Sequence, residues 1–213
     1  MANTSAPFGL RPVRSLNGAP WNGAATMYYI PSTDTNAYFV GDVVASLAGG
    51  DVVSGASSVV LVGTRNAATT SGSSRGVIVG IGTNAGNAGS SSPLGADPDA
   101  LGTISIPATK TKAYFVWVAD DPTTVFEAQA DTIAATAFNK NCPLFVATAP
   151  AVPAFNSASY AQGSAANTTQ ALPLKIVGAP CRPDNDLTSP GTYAKVYVIF
   201  NQHELGGPNT AGV

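Results

Sequence analysis

Valine and isoleucine together number 28 in a chain of 213 residues, against 11 leucines, two glutamates and five lysines. Branching at Cβ stiffens χ1, which suits a pleated strand and works against a helix, and the unbranched side chains that favour helices are scarce here. The Val- and Ile-rich runs are short, and 22 Gly and 16 Pro stand among them. This pattern predicts an all-β chain folded as a single β-sandwich or β-barrel-like domain. Core material is limited, because 35 of the apolar residues are Ala and only 47 are Leu, Ile, Val or Phe. Those 47 are clustered, so part of the chain packs well and part carries little to pack.

Strands are expected over 26–30, 38–46, 52–62 (interrupted by SGASS), 75–81, 103–106, 113–119, 124–130, 142–147, 174–177 and 192–200. The pair AYFVWVA and TVFEAQA is joined by DDP, a tight-turn signal. Residues 131–138 (DTIAATAF) read as a short helix capped by Asp131, with an edge strand as the competing assignment. Residues 25–213 form the β-rich domain. Within it, flexible surface loops are expected near 66–93 and 148–170, where small polar residues and Ala dominate.

Residues 1–24 read as an extended N-terminal arm. Pro7, Pro12 and Pro20 restrict their neighbours to extended geometry, and Gly9, Gly18 and Gly23 interrupt local order. The arm nevertheless carries Phe8, Leu10, Arg11, Arg14 and Trp21, residue types that anchor buried interfaces, so these five are the candidate interface residues. Two placements follow. The arm adds to a partner, or it folds back on its own domain.

Charge narrows the function classes. Ten basic and twelve acidic residues leave a net charge of −2 with no basic run, so no nucleic-acid partner is expected. No run of apolar residues is long enough to cross a membrane as a helix, and the first residues lack a signal-peptide core, so neither a membrane partner nor secretion is expected. Cys142 and Cys181 allow one disulfide at most and are expected as two buried free thiols.

No catalytic, cofactor-binding or metal-binding residue is assigned. His203, the only histidine, has no evident nucleophile or orienting carboxylate, and no GxSxG elbow is present. The glycines of GIGTNAG (80–86) follow a strand, but no helix signal opens after them to hold a phosphate. The pairs Asp97/Asp99, Asp120/Asp121 and Asp184/Asp186 lack Ca²⁺-loop spacing and read as turn residues.

Four segments, APFGLRPVRSLNGAPWNG (6–23), AYFVWVADDPTTVFEAQ (113–129), PLKIVGAPCRPDND (173–186) and YVIFNQHEL (197–205), together resemble the structural cement, or decoration, proteins of tailed-bacteriophage heads. The resemblance implies a β-rich structural protein on the capsid exterior of the virion, made in the host cytoplasm. Its implied partners are the major capsid protein and itself, as a homotrimer that cements neighbouring capsomers. It implies no catalysis and no cofactor, and it assigns residues 6–23 to intersubunit or capsid contact. The alternative is a virion-associated β-sandwich binding module that recognises a carbohydrate or receptor, motivated by Asn/Ser/Thr-rich loops with Tyr160 and Tyr193. An enzyme using an Asp pair with His203 has only the presence of those residue types behind it.

Overall fold

Five of the apolar runs close on one another. In the computed structural model, which describes residues 3–82, 105–150, 156–188 and 191–206, they form a barrel. Its strands are β2 (Thr26–Ile30), β4 (Val43–Gly50), β5 (Ser57–Leu61), β7 (Gly76–Ile81) and β9 (Tyr114–Ala119), in the order β2-β5-β4-β7-β9. Most of its pairs are antiparallel, and a single parallel contact between Tyr29 and Ser58 joins β2 to β5. At the centre of β9 the side chains alternate, Val116 and Val118 fully buried and Trp117 between them 44% exposed, while Phe115 and Ala119 on the Trp117 side are buried as well.

Beside the barrel lies a five-stranded antiparallel sheet. It comprises β1 (Leu10–Ser15), β10 (Thr124–Gln129), β17 (Lys195–Phe200), β15 (Leu174–Gly178) and β12 (Asn141–Cys142), in the order β1-β10-β17-β15-β12. All of β10 is buried. Phe126 and Ala128 join the core, and Phe126 meets Phe200 of β17 with ring centroids 5.2 Å apart. One continuous apolar cluster spans barrel and sheet, from Ile30, Val44 and Val118 to Phe126, Ile176 and Val198. Three small sheets complete the described residues: β13 (Leu144–Val146) between β6 (Ala67–Thr69) and β14 (Tyr160–Ala161), β3 (Tyr38–Phe39) on β8 (Ser105–Ile106), and β11 (Thr132–Ile133) on β16 (Gly191–Thr192). The all-β fold is therefore present, with a closed barrel and an open sheet packed together.

Several details differ from the sequence-based expectation. The DDP turn does not make a hairpin: β9 pairs with β2 and β7 in the barrel, whereas β10 pairs with β1 and β17 in the sheet. Asp121 accepts from the Thr123 N–H at 2.7 Å and turns the chain from one sheet into the other. Residues 131–138 form no α-helix. Thr132–Ile133 pairs as β11, and only Ala135–Ala137 makes a 3-10 turn, with no side-chain cap at Ala134; a segment this short does not repay helix nucleation.

The stretches expected as loops contain β6 (within 66–93) and β14 with a 3-10 turn at Gly163–Ala165 (within 148–170), while β7 falls on the strand expected over 75–81. Backbone ladders hold β6 and β14 to β13, and the Phe145 and Tyr160 rings stack across the β13–β14 pair. Residues 83–93 lie outside the described residues. Both cysteines are free; Cys142 is buried as expected, but Cys181 is exposed, because it follows β15 in a turn-rich segment.

Candidate interface site

The arm folds back on its own chain. Its strand β1 lies at the edge of the five-stranded sheet, paired with β10 from Leu10↔Ala128 to Ser15↔Thr124. Where it passes the barrel, two backbones cross at contact distance. Gly9 has φ +75° and Gly41 has φ +92°, and a Cβ on Gly9 would stand 2.5 Å from the Gly41 carbonyl oxygen. Only glycine suits both the left-handed backbone and the close approach. The Leu10 N–H then donates to the Gly41 carbonyl at 3.0 Å.

The five candidate residues take different roles. Leu10 is 2% exposed and belongs to the core, so it is turned inward rather than offered to a partner. Arg11 is exposed, lies over the Phe8 ring at 5.3 Å and stands 3.5 Å from the Glu127 carboxylate. Arg14 lies over the Tyr197 ring at 5.6 Å, apart from the others. Trp21 is half-buried against the core and donates its indole N–H to the Ala24 carbonyl at 3.2 Å. Phe8, Leu10, Arg11 and Trp21 share a groove of about 370 Å³ with Val40 and Ile78. The arm thus builds a half-apolar groove on its own domain.

Two features escaped the sequence. Glu127, in the centre of β10, is 2% exposed and pairs with Arg182 at 2.6 Å as well as with Arg11. Nothing but its being one of two glutamates marks it in the sequence. The second is the β4–β5 connection, where Val52 is 97% and Val53 65% exposed. There the Asp51 carboxylate accepts from the Ser54 N–H at 2.7 Å and from its hydroxyl at 2.6 Å. The Asp51 N–H donates to the Ala56 carbonyl at 2.9 Å. Its apolar side chains face water on a hydrogen-bonded turn.

The residues weighed for chemistry are held in structural contacts. Asp120 accepts from the Tyr28 hydroxyl at 2.7 Å and the Thr26 hydroxyl at 3.0 Å. Asp184 pairs with Lys195 and Arg182, and Asp186 accepts from the Thr188 N–H at 2.8 Å. Among the described residues, no three His, Cys, Asp or Glu side chains gather as a metal would require. Asp97, Asp99 and residues 83–86 of the glycine run lie outside the described residues.

His203 is buried where the end of β17 meets the barrel. Its Nδ1 accepts from the Leu205 N–H at 3.0 Å, its ring meets Phe200 at 5.8 Å, and the adjoining Glu204 carboxylate accepts from the Ser46 N–H at 2.9 Å. NQHEL therefore latches the sheet onto the barrel. Burial, and then the Arg75 guanidinium, hold the imidazole below its usual 6.5. Below about pH 6.5 the unfolded chain takes up a proton that the folded site refuses, so stability falls as pH drops through that value and is regained above it. His203→Gln is expected to flatten this part of the Tm-versus-pH curve; thermal melts of both proteins across a pH series check it.

The four resembling segments, scattered along the chain, meet in space. They contribute β1, β10, β15 and β17, four strands of one sheet, together with β9 of the barrel and the latch that ties the two. Comparison with known protein families, characterised proteins and solved structures yields no match for the chain.

Proposed function

We propose that this chain is a structural cement protein of a tailed-phage head, binding the outer capsid surface as a homotrimer and bracing neighbouring capsomers. The observation that carries it is the β4–β5 tip, turned by the Asp51 hydrogen bonds, which holds Val52 and Val53 in water at 97% and 65% exposure. An apolar pair that costs solvation when free gains when a partner covers it. The resembling segments supply four of the five strands of one sheet, with β9 of the adjoining barrel, which adds support. The arm's part is to build the groove beside β1, and the major capsid protein is the partner the tip meets.

Decoration of undecorated phage capsids, read by co-sedimentation, tests the proposal. The wild-type chain is expected to sediment with capsids and to have three chain masses by light scattering. Val52→Asp/Val53→Asp is expected to lower capsid occupancy at least tenfold with an unchanged Tm, because both side chains already lie in water. Wild-type protein that leaves capsids bare overturns the cement function. Full occupancy by the double variant overturns the role of the tip.

A further inference from the structure

Tyr160 and Tyr193, which the cement function does not use, come from distant parts of the chain and line one cleft of about 320 Å³ with Asp131, Ser5 and Pro7. Among the described residues, Tyr193 is one of three non-glycine residues with positive φ, at +56°. A bulky side chain in this region is strained, and it persists only where its surroundings impose it. Here the Tyr193 N–H donates to the Asp131 carbonyl at 3.0 Å, and its own carbonyl accepts from Gln129 Nε2 at 2.9 Å. The result is an aromatic ring left 39% exposed at the cleft. Glycine would satisfy the same backbone without strain, so the tyrosine side chain is what the position retains.

The remaining walls are equally fixed. The Tyr160 ring stacks on Phe145, with centroids 4.8 Å apart and planes 17° from parallel. Burial, with the nearby Asp131 charge, raises its phenol pKa, so the hydroxyl stays neutral and can both donate and accept. The Asp131 carboxylate is aimed by the Thr132 N–H at 2.7 Å and the Ser164 N–H at 3.0 Å, with the Ser164 hydroxyl on its other oxygen. A carboxylate has more acceptor sites than these three bonds use.

From this arrangement we infer that the cleft between Tyr160 and Tyr193 binds a neutral pyranose sugar. The chemistry matches in three respects. Tyrosine offers an apolar face for the C–H side of a sugar ring and a hydroxyl at its edge. Asp131 takes hydrogen bonds from vicinal sugar hydroxyls, as charged acceptors do strongly. Among the described residues no lysine or arginine lines the cleft and a carboxylate does, which disfavours an anionic ligand. Its volume is at the small end of ligand sites, suited to a mono- or disaccharide unit.

Saturation-transfer NMR on the full chain, with glucose, galactose, mannose, N-acetylglucosamine, maltose and lactose as probes and sialic acid as the anionic control, tests the inference. Transfer to ring protons of at least one neutral probe is expected, with none to sialic acid. Tyr193→Gly is expected to weaken that binding at least tenfold while keeping Tm at or above the wild-type value, because it relieves the backbone. Tyr160→Phe, which keeps the stack on Phe145, is expected to weaken binding less. Absence of transfer to every neutral probe overturns the inference, as does binding that survives Tyr193→Gly. A lowered Tm for Tyr193→Gly makes the tyrosine a packing residue and overturns it as well. No capsid enters this experiment, so its failure leaves the cement function standing, and the reverse holds.

Discussion

Arg65→Ala is expected to destabilise the protein by about 3–5 kcal/mol, the cost of leaving a buried charge without its partner. Asp42 is fully buried, and the Arg65 guanidinium meets its carboxylate with both terminal nitrogens, at 3.1 and 2.6 Å. The same guanidinium donates to the Ala37 carbonyl at 2.7 Å and lies over the Phe39 ring at 5.5 Å. Removing it strands Asp42, which then has only the Phe39 N–H, at 2.9 Å, among the hydrogen bonds to its carboxylate described here. For a chain of this size the loss corresponds to a fall in Tm of roughly 10 °C. Lysine cannot reproduce the two-pronged contact, so Arg65→Lys should recover only part of the stability. Adding Asp42→Asn to Arg65→Met removes the stranded charge and is expected to restore most of it. Chemical denaturation of the single and double variants gives the answer: a change below about 1 kcal/mol for Arg65→Ala would mean that water reaches Asp42.

The second large effect is expected at Glu127 and is not additive. Arg11→Ala alone removes an exposed partner at 3.5 Å and should cost less than about 1 kcal/mol. Arg182, the closer partner at 2.6 Å, still neutralises the buried carboxylate in that variant. Removing both arginines leaves a carboxylate that is 2% exposed with neither cation, and about 3–5 kcal/mol is then expected, more than the two single losses combined. Glu127→Gln in the double-arginine background takes away the charge and should return much of the stability. A double-mutant cycle by urea denaturation measures the coupling, and strict additivity would show that the three side chains act independently.

These buried carboxylates, Asp42 and Glu127, mark where sequence reasoning reaches its limit. Asp42 and Arg65 belong to segments with no common motif, and Glu127 pairs with residues on either side of it in the chain, Arg11 and Arg182. Charged residues carry no periodic signal, so partners far apart in sequence become visible only when strands are set side by side. The arm illustrates the same limit. Its Phe, Leu, Arg and Trp content marks residues 8–21 as binding something, but an edge strand makes the same backbone bonds on its own sheet as on a neighbour's. Its sequence therefore leaves both placements open, and the fit of Gly9 against Gly41 is visible only in three dimensions. Likewise, DDP specifies a turn, while the sheet that each flanking strand joins depends on what lies next to it.

The short helix suggested by residues 131–138 gave way to β11 and a 3-10 turn, but the sequence alone determined the strand character and most strand positions. These follow from local terms, the stiffness of branched side chains, the alternation of apolar residues and the punctuation by Gly and Pro, which act within a few residues. Closure of five strands into a barrel, the order of the second sheet, the exposure of Val52 and Val53 and the meeting of Tyr160 with Tyr193 were decided by the tertiary structure. Each is a contact or an exposure between segments distant in sequence, and its energy depends on the whole packing rather than on local composition.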